Sequence, residues 1–387
     1  MHHPDLIYLD CSATTPCAPE VLDAMLPYFC DLYGNASGAY SLGRKSRGAL
    51  EAARSDVARV LACDPAEVVF TSGGSESDNL ALRGVALTLR EAGRGNHLVT
   101  TAIEHEAILA TAHQLVDCFG FDLTVVGVDG NGRVDVEAVL DAVRPDTVLV
   151  SVMLANNEVG TLQPIAEIGA LLRERGVVFH TDAVQAGAWV DLDVDRLAVD
   201  LLSLSAHKFY GPKGVGVLYV REGTPLATCQ TGGGQEGGRR SGTQNVAGAV
   251  GFAAALSLAA RERALACKRV QALRDRLIDV LTAVEGIALS GHPRDRLPNH
   301  ASFCIEGVRA DALLLGLDMR GICASSGSAC SAGKLHASHV LTAMGVPEER
   351  ATGALRLSLG RMTRPEDIER VIEVLPPLVE RMRAVKV

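Results

Sequence analysis

From about residue 68 onward the apolar and polar positions of this chain follow two alternating periods. Short runs rich in β-branched residues, Val68–Thr71, His97–Thr101, Leu123–Val128, Thr147–Val152 and Val177–Thr181, are separated by longer stretches with helical spacing. Those stretches are Glu76–Arg90, Glu106–Phe119, Val136–Val143 and Ile165–Arg175. Strand and helix repeated in that order predict α/β architecture with a largely parallel sheet. Two further apolar runs, Leu201–Leu204 and Val215–Val220, complete the sheet and flank a turn at Gly211–Pro212.

The longest uncharged stretch, Ser241–Ala260, is interrupted by Thr243, Gln244 and Asn245 and is rich in Ala and Gly. It is too weakly apolar for a membrane span and reads as a buried helix. Beyond Arg261 the charge density rises in a helical pattern to about Val284, and a second set of elements follows: Ala301–Ile305, Ala310–Met319, Ala354–Leu359 and Pro365–Met382. This second set predicts a smaller α+β domain hinged on a long helix. The glycine-rich segments Gly232–Gly238 and Ser325–Gly333 are expected to be mobile loops.

Composition narrows the function. With 37 Lys and Arg against 46 Asp and Glu, the 387-residue chain carries a net charge of −9, which argues against direct nucleic-acid binding. Its 48% apolar and 21% charged residues are those of a globular protein, and its length suggests about two domains. Residues Met1 to Leu9 lack the basic start and apolar run of a secretory signal, so the expected address is cytoplasmic. The ten cysteines form no C-x-x-C pair, and most are expected to be reduced, buried hydrophobes. His336 and His339 lack partners at a recognisable metal-ligand spacing, and no metal site is expected.

Four motifs carry chemistry. Thr71-Ser72-Gly73-Gly74-Ser75-Glu76-Ser77 follows a predicted strand and opens a predicted helix, so free N–H groups and a hydroxyl converge where a phosphate fits. It is neither a Walker loop nor a dinucleotide fingerprint, and taken alone it also suits a capped helix start. His180-Thr181-Asp182-Ala183-Val184-Gln185 ends another strand, at the sheet edge where ligands bind, with a carboxylate able to keep a ring nitrogen protonated. Ser203-Leu204-Ser205-Ala206-His207-Lys208 places a lysine at the end of a further strand, where it is suited to carrying an aldehyde as a Schiff base. An anion cradle, a strand-end Asp and a strand-end Lys are together what pyridoxal 5'-phosphate demands of a protein. Cys330, in Ser325-Ser326-Gly327-Ser328-Ala329-Cys330-Ser331, lies among residues too small and polar for a core strand, which favours an accessible, reactive thiol.

These residues resemble the cysteine desulfurases of the NifS/IscS type, within the class V aminotransferase-like pyridoxal-phosphate enzymes. The resemblance runs nearly end to end, through Tyr8-Leu9-Asp10, Ser12-Ala13-Thr14-Thr15-Pro16, Thr71–Asn79, Glu104-His105, Asn156-Asn157-Glu158-Val159-Gly160, Gly232–Thr243 and Arg356-Leu357-Ser358-Leu359-Gly360-Arg361, besides the Asp182, Lys208 and Cys330 motifs. It implies the aspartate aminotransferase-like fold type I of pyridoxal-phosphate transferases. Such a fold has a large domain with a mainly parallel seven-stranded sheet, expected over 16–260, and a small α+β domain from 1–15 and 261–387 bearing the catalytic cysteine. It further implies conversion of L-cysteine to L-alanine with a persulfide on Cys330, passed to an iron–sulfur scaffold or another sulfur-acceptor protein.

Carried over residue by residue, the resemblance implies that Lys208 holds the cofactor covalently, Asp182 pairs with its ring nitrogen, and His105 stacks on the ring and assists proton transfer. Gln185 and Asn157 would bind the ring oxygen. Gly74, Ser75, Ser205 and His207 would bind the phosphate, and Thr243 would reach the phosphate of a neighbouring subunit, implying a homodimer. Arg356 with Asn35 would grip the substrate carboxylate. The chain departs from the family pattern at Ser75, Ala36, Tyr40 and Ala332–His336. An aminotransferase of class V, or a selenocysteine or cystine lyase, would use the same cofactor with Cys330 incidental. A non-catalytic partner-binding homologue is the third reading, and the intact Lys208, Asp182 and His105 argue against it.

Overall fold

The computed structural model describes residues 6–327 and 338–384. Among them are twelve strands: β1 (Ile7–Tyr8), β2 (Val68–Thr71), β3 (His97–Thr101), β4 (Asp122–Val126), β5 (Thr147–Ser151), β6 (Val178–Asp182), β7 (Leu201–Ser205), β8 (Gly216–Val220), β9 (Ile287–Ser290), β10 (His300–Ile305), β11 (Ile322–Cys323) and β12 (Ala354–Ser358). Strands β2 to β8 form one seven-stranded sheet in the order β2-β8-β7-β6-β5-β3-β4. The pairs from β7 to β4 are parallel, and β8 runs antiparallel to both of its neighbours. The sheet is therefore mainly parallel, as the fold type implies.

Side chains alternate across a strand, so each apolar run feeds both faces. Val69, Leu98, Leu149, Leu201 and Leu218 pack into one cluster with the helices Gly74–Glu91 and Glu106–Phe119. Their neighbours Phe70, Val99, Val150, Leu202 and Val217 face a second cluster built with the helices Ser41–Leu61, Ile165–Glu174 and Val246–Thr282. Burial on both faces explains why these strands read as continuous apolar runs, and it sends all their polar ends to the sheet edges. Asp182 ends β6 and Ser205 ends β7 on the same edge.

Strands β12, β10 and β9 form a separate antiparallel sheet, packed on the helices Val246–Thr282, Ala310–Asp318 and Pro365–Ala384. The N-terminal strand β1 pairs in parallel with β11, close to this sheet. The uncharged run is a buried helix, but it starts at Val246, where Asn245 Oδ1 accepts the Gly248 N–H at 2.9 Å. It continues as one 37-residue helix into the charged segment. Among the described residues no helix is long and apolar enough to cross a membrane.

Three expectations are corrected. Of the nine described cysteines, all free thiols, only Cys11 and Cys304 are buried, while Cys30, Cys118 and Cys229 are exposed. The segment Gly232–Gly238 is not a loose loop, because Glu236 is buried within it and bound by Arg54. The pattern reading from residue 68 onward also leaves out Ser41–Leu61, a 21-residue helix whose core-facing positions include Gly43 and Ser46 and so carry a weak apolar signal.

Candidate active site

Strand ends β6 and β7 open into a cleft of ≈ 810 Å³. On its floor, Asp182 is 6% exposed and its Oδ1 accepts the Val184 N–H at 2.9 Å. Burial pushes the Asp182 carboxyl up, with His105 and Lys208 pulling it back. Lys208 stands on the short turn Ala206–Lys208 that follows β7, and its Nζ donates to the Ser12 and Ala13 carbonyls at 2.5 and 2.9 Å. His105 caps the helix Glu106–Phe119: its Nδ1 accepts the Ala107 N–H at 3.1 Å, which leaves Nε2 as the other ring nitrogen. Asp182, Lys208 and His105, from three separate chain segments, all line the cleft.

One end of the cleft is built for an anion. The helix Gly74–Glu91 begins there, and the N–H groups of Gly74, Ser75 and Glu76 precede its first-turn bond from Ser77 N–H to Gly73 O. Such a terminus presents unsatisfied donors and the positive end of the helix dipole. A Cβ on Gly74 would lie 2.8 Å from Val184 Cγ2, so the bare backbone is what lets this helix start press against the wall. Ser205 and His207 line the same end. Burial, then the charges of Lys208 and Lys213, push the His207 imidazole down to about 4, so it is neutral at pH 7. Its Nδ1 meets Thr14 Oγ1 at 3.1 Å.

The cleft is also lined by Arg356, from β12, buried to 2% exposure. Its Nη1 donates to the carbonyls of Asn157 and Gly327 at 2.8 and 3.3 Å, and its Nη2 to Asp10 Oδ1 at 2.8 Å. The Asn157 carbonyl is also 3.1 Å from His300 Nε2, and Gln185 Nε2 donates to the Ser12 carbonyl at 3.0 Å.

Gly74, Ser75, His105, Asn157, Asp182, Gln185, Ser205, His207, Lys208 and Arg356 are thus brought to one cleft. Asn35 and Thr243 are exposed and do not line it. Asn35 forms an Asx turn, its Oδ1 accepting the Ser37 N–H at 2.9 Å. Cys330 and His336 lie outside the described residues. The two described residues that flank them, Gly327 and Ser338, both line the cleft. Ser338 donates to Glu158 Oε2 at 2.5 Å, and His339 Nε2 meets the Glu104 carbonyl at 3.0 Å, a structural use for a histidine weighed above as a metal ligand.

Residue-type reasoning did not single out Ser12, Ala13, Asp10, Asp78 or Glu158. Two of them act through backbone carbonyls, which leave no signature in side-chain type. Asp78, in the first turns of the helix Gly74–Glu91, is buried and lines the cleft, where burial and then the charge of Asp182 push its carboxyl up. Its Oδ1 is 3.8 Å from Nε2 of His180, itself pushed down to about 3 by burial and hence neutral.

The sequence profile of the family Aminotransferase class-V matches residues 7–371. The cysteine desulfurase IscS of Methanosarcina thermophila is 47% identical over 377 residues, covering 97% of this chain and 93% of that protein. A solved NifS-like protein superposes with a TM-score of 0.91 at 37% identity, covering 98% of this chain and 100% of the other. A structure of SspA in complex with cysteine matches with a TM-score of 0.80 at 36% identity, over 91% of this chain and 98% of that one.

Pyridoxal 5'-phosphate is the cofactor of this family, and the residues present fit it. Asp182 is a buried carboxylate whose anionic form burial disfavours, and a protonated ring nitrogen would supply the missing countercharge. The amides at the start of Gly74–Glu91, with Ser205 and neutral His207, suit its phosphate, and Lys208 would supply the amine that its aldehyde requires. With the profile, the close relative and the fold in agreement, the chain belongs to the class V aminotransferase family of pyridoxal-phosphate enzymes, as one of its cysteine desulfurases of the NifS/IscS type.

Proposed function

We propose that this protein is a cysteine desulfurase that converts L-cysteine to L-alanine and retains the sulfur as a persulfide on Cys330. The observation that carries this reading is that Gly327 and Ser338, which bracket Cys330 in sequence, line the same cleft as Lys208, Asp182, His105 and Arg356. Both described residues that flank the Cys330 segment therefore stand at the cleft, which supports a role for that thiol there.

Lys208, Asp182, Gln185, Asn157 and the phosphate-end residues Gly74, Ser75, Ser205 and His207 would hold the cofactor, with His105 over its ring. The bound cofactor supplies an electron sink for bond breaking at the substrate's carbon atoms. Arg356 binds the substrate carboxylate and so fixes which end of the amino acid faces the thiol. Lys208, whose Nζ rests on the Ser12 and Ala13 carbonyls, is placed to take and return a proton at the substrate α-carbon. The Cys330 thiolate attacks the substrate sulfur: a sulfur–sulfur bond forms, the carbon–sulfur bond breaks, and protonation of the carbon skeleton releases alanine.

Thr243 is exposed and does not line its own cleft, which suits a role at the site of a second copy, so the functional unit would be a homodimer. Residues 16–260 would form the cofactor-binding domain, and 1–15 with 261–387 the domain that carries Cys330. An iron–sulfur scaffold or another acceptor protein would remove the sulfur, in the cytoplasm. The test is alanine release from L-cysteine with a thiol reductant, by the natural protein and by Cys330→Ser. Release from the natural protein alone is expected. Equal release from both would indicate a lyase in which Cys330 is incidental, and no alanine from either would leave room for an aminotransferase.

A further inference from the structure

Asp10 stands in the Tyr8-Leu9-Asp10 motif at the start of the chain. Its Oδ1 accepts from Arg356 Nη2 at 2.8 Å, and the two side chains are 20% and 3% exposed. The pair is set by one piece of backbone: Asp10 bridges in parallel to Ser358, two residues beyond Arg356 on β12, and Cys11 N–H donates to the Ser358 carbonyl at 3.1 Å. Residues i and i+2 of a strand share a face, so the strand that presents Arg356 also fixes its counter-ion. Tyr8 secures the same turn, its hydroxyl donating to the Asp10 and Thr14 carbonyls at 3.1 and 2.9 Å.

A guanidinium has five N–H donors in a fixed plane. Here Nη1 serves two carbonyls, Nη2 serves Asp10, and Nε is buried with no partner among the described residues. An unpartnered buried donor beside a cleft points to a ligand that completes it.

We propose that Asp10 is a positioning residue for the amino-acid substrate, locking the Arg356 guanidinium through Nη2 so that Nε–H and the second Nη2 hydrogen form a preset fork for the α-carboxylate. This rests on Arg356 as the carboxylate anchor. Preorganisation is the gain: an arginine already ordered does not lose its rotamer freedom when the substrate arrives. Because the carboxylate of Asp10 also repels that of the substrate, what matters is where its acceptor oxygen sits, and the charge itself weakens binding.

The experiment uses the cofactor-loaded enzyme and the variants D10A, D10N, D10E and R356A. It reads KM and kcat for L-cysteine, and the dissociation constant for L-alanine from the change it causes in the cofactor's visible absorption. D10A and D10E are expected to raise KM and the L-alanine constant about 5- to 10-fold with kcat changed less than about twofold. D10N keeps an acceptor oxygen in place without the charge and is expected to bind at least as tightly as the natural protein. Unchanged constants in D10A and D10E would overturn the proposal. Tighter binding in D10A would show Asp10 to be a competitor for Arg356, and equal weakening in D10N and D10A would show the charge itself to matter; either overturns it. If D10A does not fold, D10E and D10N decide the matter between them. If R356A leaves L-alanine binding unchanged, it is the assignment of Arg356 that fails, a result independent of the Asp10 variants.

Discussion

Replacing Arg54 by methionine should unfasten the segment that leads to Thr243. Glu236 sits there in left-handed backbone, φ 51° and ψ 38°, a conformation that costs a residue with a side chain about 1–3 kcal/mol and persists only where contacts hold it. Its carboxylate accepts from Arg54 Nη1 and Nη2 at 2.8 and 3.0 Å, from Phe70 N–H at 2.9 Å and from Gln244 Nε2 at 3.1 Å. Arg54 also donates to the Val68 carbonyl at 2.6 Å and lies 5.1 Å over the Phe70 ring, so the pair ties β2, the helix Ser41–Leu61 and the glycine-rich segment together. Burial pushes the Glu236 carboxyl up, but Arg54, then the Phe70 N–H and Gln244, outweigh it and hold it below the ordinary carboxylate range.

Methionine keeps the apolar stem and removes the guanidinium, leaving a buried carboxylate without its countercharge. Breaking one side of a buried pair costs about 3–5 kcal/mol. Because the folded pKa is depressed, the contribution of Glu236 is present above the unfolded carboxylate range and lost as pH falls through the folded value. The assay is urea unfolding of the natural protein and Arg54→Met at pH 7 and pH 4. The variant should lose about 3–5 kcal/mol at pH 7 and less in acid, and Arg54→Met with Glu236→Gln should recover a large part of the loss. A loss below about 1 kcal/mol at pH 7, or one that does not shrink on acidification, would refute the assignment of this pair as the fastening.

Glu104 is pushed up to about 8 by burial, against the bonds it accepts from the Thr101 hydroxyl and Met153 N–H at 2.6 and 2.9 Å. The folded protein then holds a proton there that the unfolded chain releases, so this stabilisation is complete below the ordinary Glu range and is lost as pH rises through 8; unfolding between pH 5 and 9 should show a decline in the natural protein that Glu104→Gln lacks. Gly160 has φ +79°, and a Cβ there would lie 2.7 Å from His300 Cβ, so Gly160→Ala should lower stability by at least about 1–3 kcal/mol, read by thermal unfolding, and loosen the Asn157 carbonyl that His300 and Arg356 share. Lys208→Ala and Thr243→Ala should each be poorly active alone, whereas refolding them together should restore roughly a quarter of full activity, since half the dimers are mixed and each has one intact site. Absence of such complementation would place Thr243 outside the partner's site.

Much of the large sheet was legible in the chain, for a local reason. Strands buried on both faces need apolar residues at consecutive positions, and those runs ended at the polar residues Asp182 and Ser205, which became the edge of the cleft. Less was legible where burial is achieved by small or polar residues. The helix Ser41–Leu61 packs with Gly43, Ser46 and Arg54 among its buried positions, and β1 and β11 are only two residues each, too short to show a period. Cysteine burial was misjudged because residue type sets a tendency and neighbours set the outcome: Cys30, Cys118 and Cys229 lie on the surface.

Sequence alone determined the alternation of strands and helices, the glycine-rich start of the helix Gly74–Glu91, and the residue types suited to the cofactor, because each depends on residues within a few positions of one another. Only tertiary structure decided the strand order β2-β8-β7-β6-β5-β3-β4 and the reversed direction of β8, since pairing partners are chosen by contacts distant in sequence. It also decided that the carbonyls of Ser12 and Ala13 meet Lys208, that Asp10 meets Arg356 across 346 residues of chain, and that Asn35 and Thr243 do not line the cleft. Backbone carbonyls and ion pairs of that kind leave no trace in local pattern, because the partner that gives each its role arrives only when the chain has folded.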